Sequence, residues 1–500
     1  MENESNSKSL VKNSFWNFLM ISLGKIGGFI FVILLARYLL PEGFGVYNLT
    51  IYIALFFIMF ADSGINQTLL KFFTENFYND LRGSISIYRY LFKLKIILSV
   101  LLSIMLILLA YPISIMFHKP EIFIPLLFGS LYILAFSIES FFISFFYVFK
   151  KVKYLAARQL IWECLRVLLL IIVFSAINKS NYIIAAILIL VFSTTISILF
   201  LLYSIRKICP DLFKKNVNCL TKNDKQKLKG FWFYIGVLNI INLIFGYVEI
   251  IILGFFVSST FIGYYTAAWT LIGGFSALFG ISNILLPLFS QHKDNLKNSI
   301  SLIAKYISVI TIPIIFGIFL FGSYIISLAY GYEYIYASVP LFILAIIIFE
   351  SPLTGMLNSL FSANAKQTYL VRLAVFSLFI NIFLNFIIIS LVKPSFSIIL
   401  IIVSCVVVFS RMFYFISASI YSSKVLKSDL KFVNFLLPII SASIMFCSLY
   451  FFNNLLNIQM NLYIGLVEII SGAILYFICM FLFKGLTKED LIFIKNLFKK

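Results

Sequence analysis

The chain has 500 residues, of which 62% are hydrophobic and 12% charged, with a mean hydropathy of +1.06. A soluble globular chain is roughly 45–50% apolar and about 25% charged, so this one lacks the polar surface that water requires and is expected to be a polytopic membrane protein. Its net charge of +20 comes with no compact basic domain, so nucleic acid is excluded as a partner and the excess is assigned to the positive-inside pattern that orients membrane helices.

In chain order, the N-terminal MENESNSKSLVKNS is short, polar and without a small-residue cleavage site, so the first apolar run is expected to be a retained span. A spanning helix needs about 20 mostly apolar residues. Fourteen such runs are marked, at 15–36, 46–70, 90–116, 122–148, 157–177, 182–204, 231–256, 264–290, 303–329, 339–361, 370–391, 396–421, 433–453 and 462–483. The runs are continuous rather than alternating, which favours helices over a transmembrane barrel.

An even count puts both termini on one side. With the N-terminus cytoplasmic, Arg37, Lys119, Lys179 and Lys393 are the outside cations, Lys25, Arg166 and Arg411 lie within spans, and the rest of the 39 Lys and Arg fall on or toward the cytoplasmic side. The expected orientation is therefore N-in and C-in. The outside connections are too short to hold a catalytic loop, so the protein is not expected to be an enzyme. None of the six cysteines forms CxxC, and His118 and His292 stand apart, so no disulfide framework or metal site is expected. No Gly-rich phosphate loop is present, and no cofactor is expected beyond coupling to Na⁺ or H⁺.

The chain also repeats itself. GINQTLLKFF at Gly64 returns as GISNILLPLF at Gly280, Phe15-Trp16 as Phe231-Trp232, Phe44-Gly45-Val46-Tyr47 as Ile262-Gly263-Tyr264-Tyr265, and Ser137-Ile138-Glu139-Ser140 as Ile348-Phe349-Glu350-Ser351. The order is kept and the offset stays between 211 and 218. The expected fold is an all-α polytopic membrane protein of about 14 transmembrane helices, with two pseudo-symmetric six-helix lobes plus two C-terminal helices. The N-terminal lobe would be 1–205, a basic cytoplasmic linker 206–230, the C-terminal lobe 231–422, and the last two spans and tail 423–500. Parallel repeats of this kind build two-lobed transporters.

Charged side chains inside a bilayer cost at least about 2.5–3.5 kcal/mol on insertion scales and normally face protein or a wet cavity. Lys25, in GKIGG, either faces a cleft or pairs with an acid such as Asp62. Glu163 and Arg166 share a helix face and read first as a local ion pair. Arg411 has no acid within a turn and needs a partner from another helix or a ligand. Glu139 and Glu350 hold repeat-equivalent positions, which favours a shared structural role and leaves ion coupling open. Asp62 reads first as a cap or hinge. Glu249 and Glu468 are further candidates for ion coupling. Asn239, Asn242, Asn381 and Asn385 form polar stripes expected to join helices.

The segment LLARYLLPEGFGVYNL (34–49), continued by Asp62-Ser63-Gly64-Ile65 and by the length and order of the spans, resembles the oligosaccharide flippases. These are the polysaccharide-export branch of the multidrug/oligosaccharidyl-lipid/polysaccharide transporter superfamily. The resemblance implies movement of a lipid-linked oligosaccharide, on a polyprenyl phosphate or pyrophosphate carrier, from the cytoplasmic to the outer leaflet of the cell membrane. Its partners would be that substrate, membrane lipid and other polysaccharide-assembly proteins. It also implies a cationic central cleft, for which Lys25, Arg166 and Arg411 suit the headgroup and Asp62, Glu139, Glu249, Glu350 and Glu468 remain for ion coupling. Acids in the spans outnumber bases six to three, a departure that keeps a cation-coupled multidrug exporter of the same fold as the alternative.

Overall fold

The computed structural model describes residues 2–62, 64–77, 81–149, 151–213, 220–277, 296–364, 367–392, 395–426, 433–456, 461–487 and 490. The described residues form helices and connecting turns, with no strand among them. The reason is elementary: in hydrocarbon each backbone N–H and C=O needs a partner within its own segment, and only a helix supplies one. The helices are α1 (Glu2–Asp62), α2 (Ile65–Phe77), α3 (Leu81–Met116), α4 (Phe123–Val148), α5 (Val152–Ala176), α6 (Tyr182–Ile208), α7 (Lys222–Phe256) and α8 (Ser259–Ala277). They continue with α9 (Leu296–Tyr330), α10 (Ser338–Leu344), α11 (Ile347–Ala363), α12 (Gln367–Val392), α13 (Phe396–Leu426), α14 (Val433–Leu456) and α15 (Leu462–Leu482).

Among the described residues, ten helices are long and apolar enough to cross a membrane, or eleven if the pair Tyr332–Leu344 and Ile347–Ala363, bent by 44°, is one span. The expected fourteen are not reached there. Spans 15–36 and 46–70 fall inside the single stretch Phe15–Glu75. At 1.5 Å per residue its 61 residues would measure about 90 Å, some three times a hydrocarbon core. The chain breaks instead at Leu40, whose φ of 56° and ψ of 174° are non-helical and which precedes Pro41. Within 231–256 the helix α7 is continuous to Phe256, and its described side chains from 246 onward form the apolar stretch Gly246–Phe256, those of 237–245 lying outside the described residues. The span expected at 264–290 runs into 278–295, outside the described residues, as do His292 and the second copy of the repeated decapeptide; the side chains of Asn239 and Asn242 are outside them too.

A second correction concerns the span expected at 46–70. It stops at Asp62 and resumes as α2 beyond Gly64, whose φ of +75° is one that a residue with a Cβ rarely adopts.

By internal packing the chain divides into two compact units, Met1–Thr266 and Ala267–Lys500. In the first, Phe73, Phe141, Phe145, Tyr88 and Leu201 build an aromatic core. The Phe73 and Phe145 rings meet edge-on at 5.8 Å and Tyr88 and Phe145 at 5.5 Å, the offset geometry that ring quadrupoles favour. This unit also contains a reciprocal contact between repeat-related residues. A side chain at Gly45 would strike the Ser259 carbonyl, and one at Gly263 would strike the Pro41 carbonyl. Gly45 and Gly263 are counterparts in the repeat, as are Pro41 and Ser259, so the two glycine turns pack against each other in a pseudo-two-fold manner.

In the second unit, Leu353, Met356, Leu360 and Phe415 form one core and Val309, Met445, Tyr476 and Met480 another. The last two helices dock on α9: the Tyr476 hydroxyl donates to the Val309 carbonyl at 2.8 Å, and Asn434 Nδ2 donates to the Ser301 carbonyl at 2.9 Å. Of the expected Asn381–Asn385 stripe, Asn381 joins helices, its Nδ2 donating to Ser410 Oγ at 3.1 Å between α12 and α13, while Asn385 Nδ2 donates within α12 to the Asn381 carbonyl at 2.9 Å.

Candidate functional site

The first unit holds a chain of buried charges along α4 and α5. Arg158 Nε donates to Glu139 Oε1 at 2.8 Å, and its Nη1 donates to Gln159 Oε1 at 2.7 Å. Gln159 Nε2 donates to Glu163 Oε1 at 2.9 Å, and Arg166 Nε donates to Glu163 Oε2 at 2.7 Å. The indole of Trp162 lies 4.0 Å from the Arg166 guanidinium and 5.2 Å from that of Arg158, and Phe31 covers Arg166 at 4.6 Å. Each member is thus held by a charge-assisted bond or a ring face, which is what a low-dielectric interior demands.

The glycines of GKIGG make room for this chain. Gly24 faces the Gln159 amide, Gly27 faces Glu163, and Gly28 faces Arg166 Nη2, so α1 lies directly on the polar edge of α5. A side-chain carbon at Gly27 would sit 2.6 Å from Glu163 Oε2 and 2.7 Å from its Cβ. Lys25, between these glycines, is exposed. Asp62, at the end of α1, pairs with Lys95 of α3, which is wholly buried. Glu249 is buried near the C-terminal end of α7.

The second unit holds a looser arrangement. Arg411 Nη1 is 3.8 Å from Glu350 Oε2, between α13 and α11. Thr354 donates to Glu350 Oε1, and the Arg411 guanidinium lies 5.3 Å from the Trp269 ring. Glu350 Oε2 and Arg411 Nε are buried without hydrogen-bond partners. Both atoms therefore retain hydrogen-bonding capacity toward a polar ligand or an ion. Glu468 accepts from Asn453 Nδ2 at 2.9 Å through Oε2, while its buried Oε1 has no partner. It borders an apolar cavity of about 300 Å³ among α9, α14 and α15.

The structure therefore distributes the sequence-predicted residues over two units. Arg166 is paired with Glu163, as its i, i+3 spacing suggested, and Arg411 meets an acid from another helix. Glu139 and Glu350 each face an arginine, but the donors come from different helices of the repeat, α5 in one case and α13 in the other. Sequence reasoning missed Arg158 and Lys95, which hydropathy put near span ends. The signal that could have found them is the presence of an unpaired acid, Glu139 or Asp62, at similar depth on another span. Among the described residues no group of His, Cys, Asp and Glu is arranged to hold a metal ion.

The chain is similar in structure to the lipid II flippase MurJ in an inward closed conformation, with a TM-score of 0.76 at 16% identity over 96% of this chain and 100% of that one. It is also similar to an inward-facing multidrug resistance MATE family transporter of the MOP superfamily, with a TM-score of 0.58 at 14% identity over 82% and 95% of the two chains. A MOP superfamily transporter from Pyrococcus furiosus aligns with a TM-score of 0.54 at 13% identity over 84% and 97%. No curated protein matches the chain in sequence. The fold is that of membrane transporters and flippases, and the protein is multi-pass. The family model described as polysaccharide biosynthesis protein matches residues 10–293, more than half of the sequence, and the chain belongs to that family.

Proposed function

We propose that the protein is an alternating-access flippase. It would move a lipid-linked oligosaccharide, on a polyprenyl phosphate or pyrophosphate carrier, from the cytoplasmic to the outer leaflet of the cell membrane for surface polysaccharide synthesis. The observation that carries this reading is the fold likeness to a lipid II flippase along nearly the whole of both chains, joined to membership of a polysaccharide biosynthesis family. The physical task fits: sugar and phosphate cannot cross hydrocarbon unaided, so a protein must hold the headgroup while the tail stays in lipid. The six-plus-six lobes, the linker at 206–230 and the cytoplasmic termini are part of the proposal, supported by the internal repeat and the distribution of Lys and Arg.

In this reading Lys25, Arg166 and Arg411 serve the anionic headgroup. Arg411 is the best supported, because its Nε is unbonded and its side chain is a quarter exposed. Coupling to Na⁺ or H⁺ would use Asp62, Glu139, Glu249, Glu350 or Glu468, and Glu350 and Glu468 each keep one unbonded carboxylate oxygen. Partners would be the lipid-linked substrate, membrane lipid and other polysaccharide-assembly proteins.

The alternative, a cation-coupled multidrug exporter, draws support from the MATE likeness. The pairing of Asp62, Glu139, Glu163 and Glu350 with cations weighs against it, since it removes the excess of acids that would attract a cationic drug.

The test is depletion of the protein in cells, followed by assay of surface polysaccharide and of the leaflet in which lipid-linked oligosaccharide accumulates. Inner-leaflet accumulation with loss of surface polymer is expected, and Lys25→Gln/Arg411→Gln present at normal abundance should reproduce it. Unchanged polymer with raised sensitivity to cationic drugs would overturn the reading in favour of the exporter.

A further inference from the structure

Residues of α3, the start of α7 and Leu220 line an open basic cavity of about 450 Å³ in the first unit. Its cations are Arg89 and Lys93, one turn apart on α3, and Lys225 from the first turn of α7. The Tyr90 ring and the apolar Leu94 and Ile97 complete the α3 side.

Of the three cations, Arg89 is held in place by the backbone. Arg89 Nη2 donates to the Leu212 carbonyl at 3.0 Å, which fixes the guanidinium at the wall. The first turn of α7, which carries Lys225, is set by a capping box: Asp224 N donates to Thr221 Oγ1 at 3.2 Å while Thr221 N donates to Asp224 Oδ2 at 3.0 Å. The nearby carboxylates, Asp211 and Asp224, are not among the cavity walls, and Asp224 is turned into its own cap. The lining therefore carries three positive groups and no negative one.

A second, independent feature begins at the same place. From Ile97 the exposed face of α3 runs through Leu101, Ile104 and Leu108, spaced by four, three and four residues along one side of the helix. These side chains are 50, 54, 51 and 71% exposed. They belong to the candidate span Arg82–Met116 and so form an apolar track in the bilayer that leads away from the cations. A basic pocket at the end of such a track matches a lipid with a negative headgroup and an acyl chain. A soluble anion would use the cations and leave the track unused.

We infer that this cavity is a binding site for one anionic phospholipid, its phosphate held by Arg89, Lys93 and Lys225 and an acyl chain lying along Ile97–Leu108 of α3. A lipid held there would tie α3 to the start of α7. The site is separate from the headgroup residues proposed above and does not depend on which cargo is moved.

The test is native mass spectrometry of the full-length protein in detergent with added phosphatidylglycerol or phosphatidylcholine. One tightly held phosphatidylglycerol is expected. Lys93→Gln/Lys225→Gln should weaken it by about tenfold, equivalent to about 1.4 kcal/mol. Lys93→Arg/Lys225→Arg should retain it, and the exposed Lys424→Gln should change nothing. Both lysines are exposed, so the melting temperature in lipid-free detergent should be unaltered. Equal binding of phosphatidylglycerol by wild type and the double glutamine variant would overturn the inference. So would its displacement by millimolar inorganic phosphate, which would mark a soluble-anion site. Neither result would bear on whether the protein flips oligosaccharide.

Discussion

Arg411 Nη1 stands 3.8 Å from Glu350 Oε2, close enough for an ion pair, yet that oxygen and Arg411 Nε have no hydrogen-bond partner. Arg411→Gln alone leaves Glu350 buried opposite a neutral group and is expected to lower stability by about 1–3 kcal/mol. Arg411→Gln/Glu350→Gln should recover most of that loss in a melting experiment while export of surface polysaccharide stays defective. If the double variant regains both stability and export, the pair serves folding alone.

The Arg158–Glu139 contact makes the opposite prediction. Both side chains are almost fully buried and doubly bonded. Arg158→Met strands a carboxylate and should destabilise by about 3–5 kcal/mol, whereas Arg158→Met/Glu139→Leu should be close to wild type in stability. Chemical denaturation in detergent, read by tryptophan fluorescence, measures the difference. A double variant as unstable as the single one would show that more than the lost charge balance is at work.

Gly27 and Gly28 differ in what lies over them. Gly27→Ala would bring a methyl group within 2.6–2.7 Å of Glu163, whose atoms are fixed by Gln159 and Arg166. It should cost about 1–3 kcal/mol through displacement of α1 from α5. Gly28→Ala meets the tip of Arg166 at 3.2 Å and should cost less than half as much. Thermal melting of the two variants side by side decides it, and equal shifts would refute the proposed seating of α5.

A fourth prediction concerns pH. Asp490 is partly buried, which by itself would raise its pKa, but bonds donated by Lys305, the Thr487 backbone and Tyr306 outweigh this and hold it at about 2, below the ordinary 3.8. A carboxyl whose folded pKa is depressed contributes its stabilisation in full above the unfolded value and loses it as pH falls through the folded one. The bonds from Lys305 and Tyr306 of α9 to Asp490 should therefore persist down to about pH 3.8 and fade toward about pH 2. Hydrogen exchange of the Thr487 and Asp490 amides, corrected for intrinsic rates, should show this transition in wild type. Asp490→Asn should lack it, with protection already reduced at neutral pH.

Much of this protein was legible because a bilayer imposes a blunt rule on sequence. Runs of about 20 continuous apolar residues gave the membrane class and the all-helical fold. Glu163 and Arg166 could be paired in advance, since three residues on one helix fix their separation. Lys95 and Arg158 could not. Their partners Asp62 and Glu139 lie on other helices, and a pairing between helices depends on which neighbours pack and how each is rotated. Hydropathy averages over a window and carries no rotation. The same limit applies to GKIGG, where the glycines announced a close approach but only the tertiary structure named Gln159, Glu163 and Arg166 as what approaches. Sequence determined what must lie in the membrane; packing decided which buried charges are spent on one another and which, as at Glu350 and Arg411, keep bonding capacity unused.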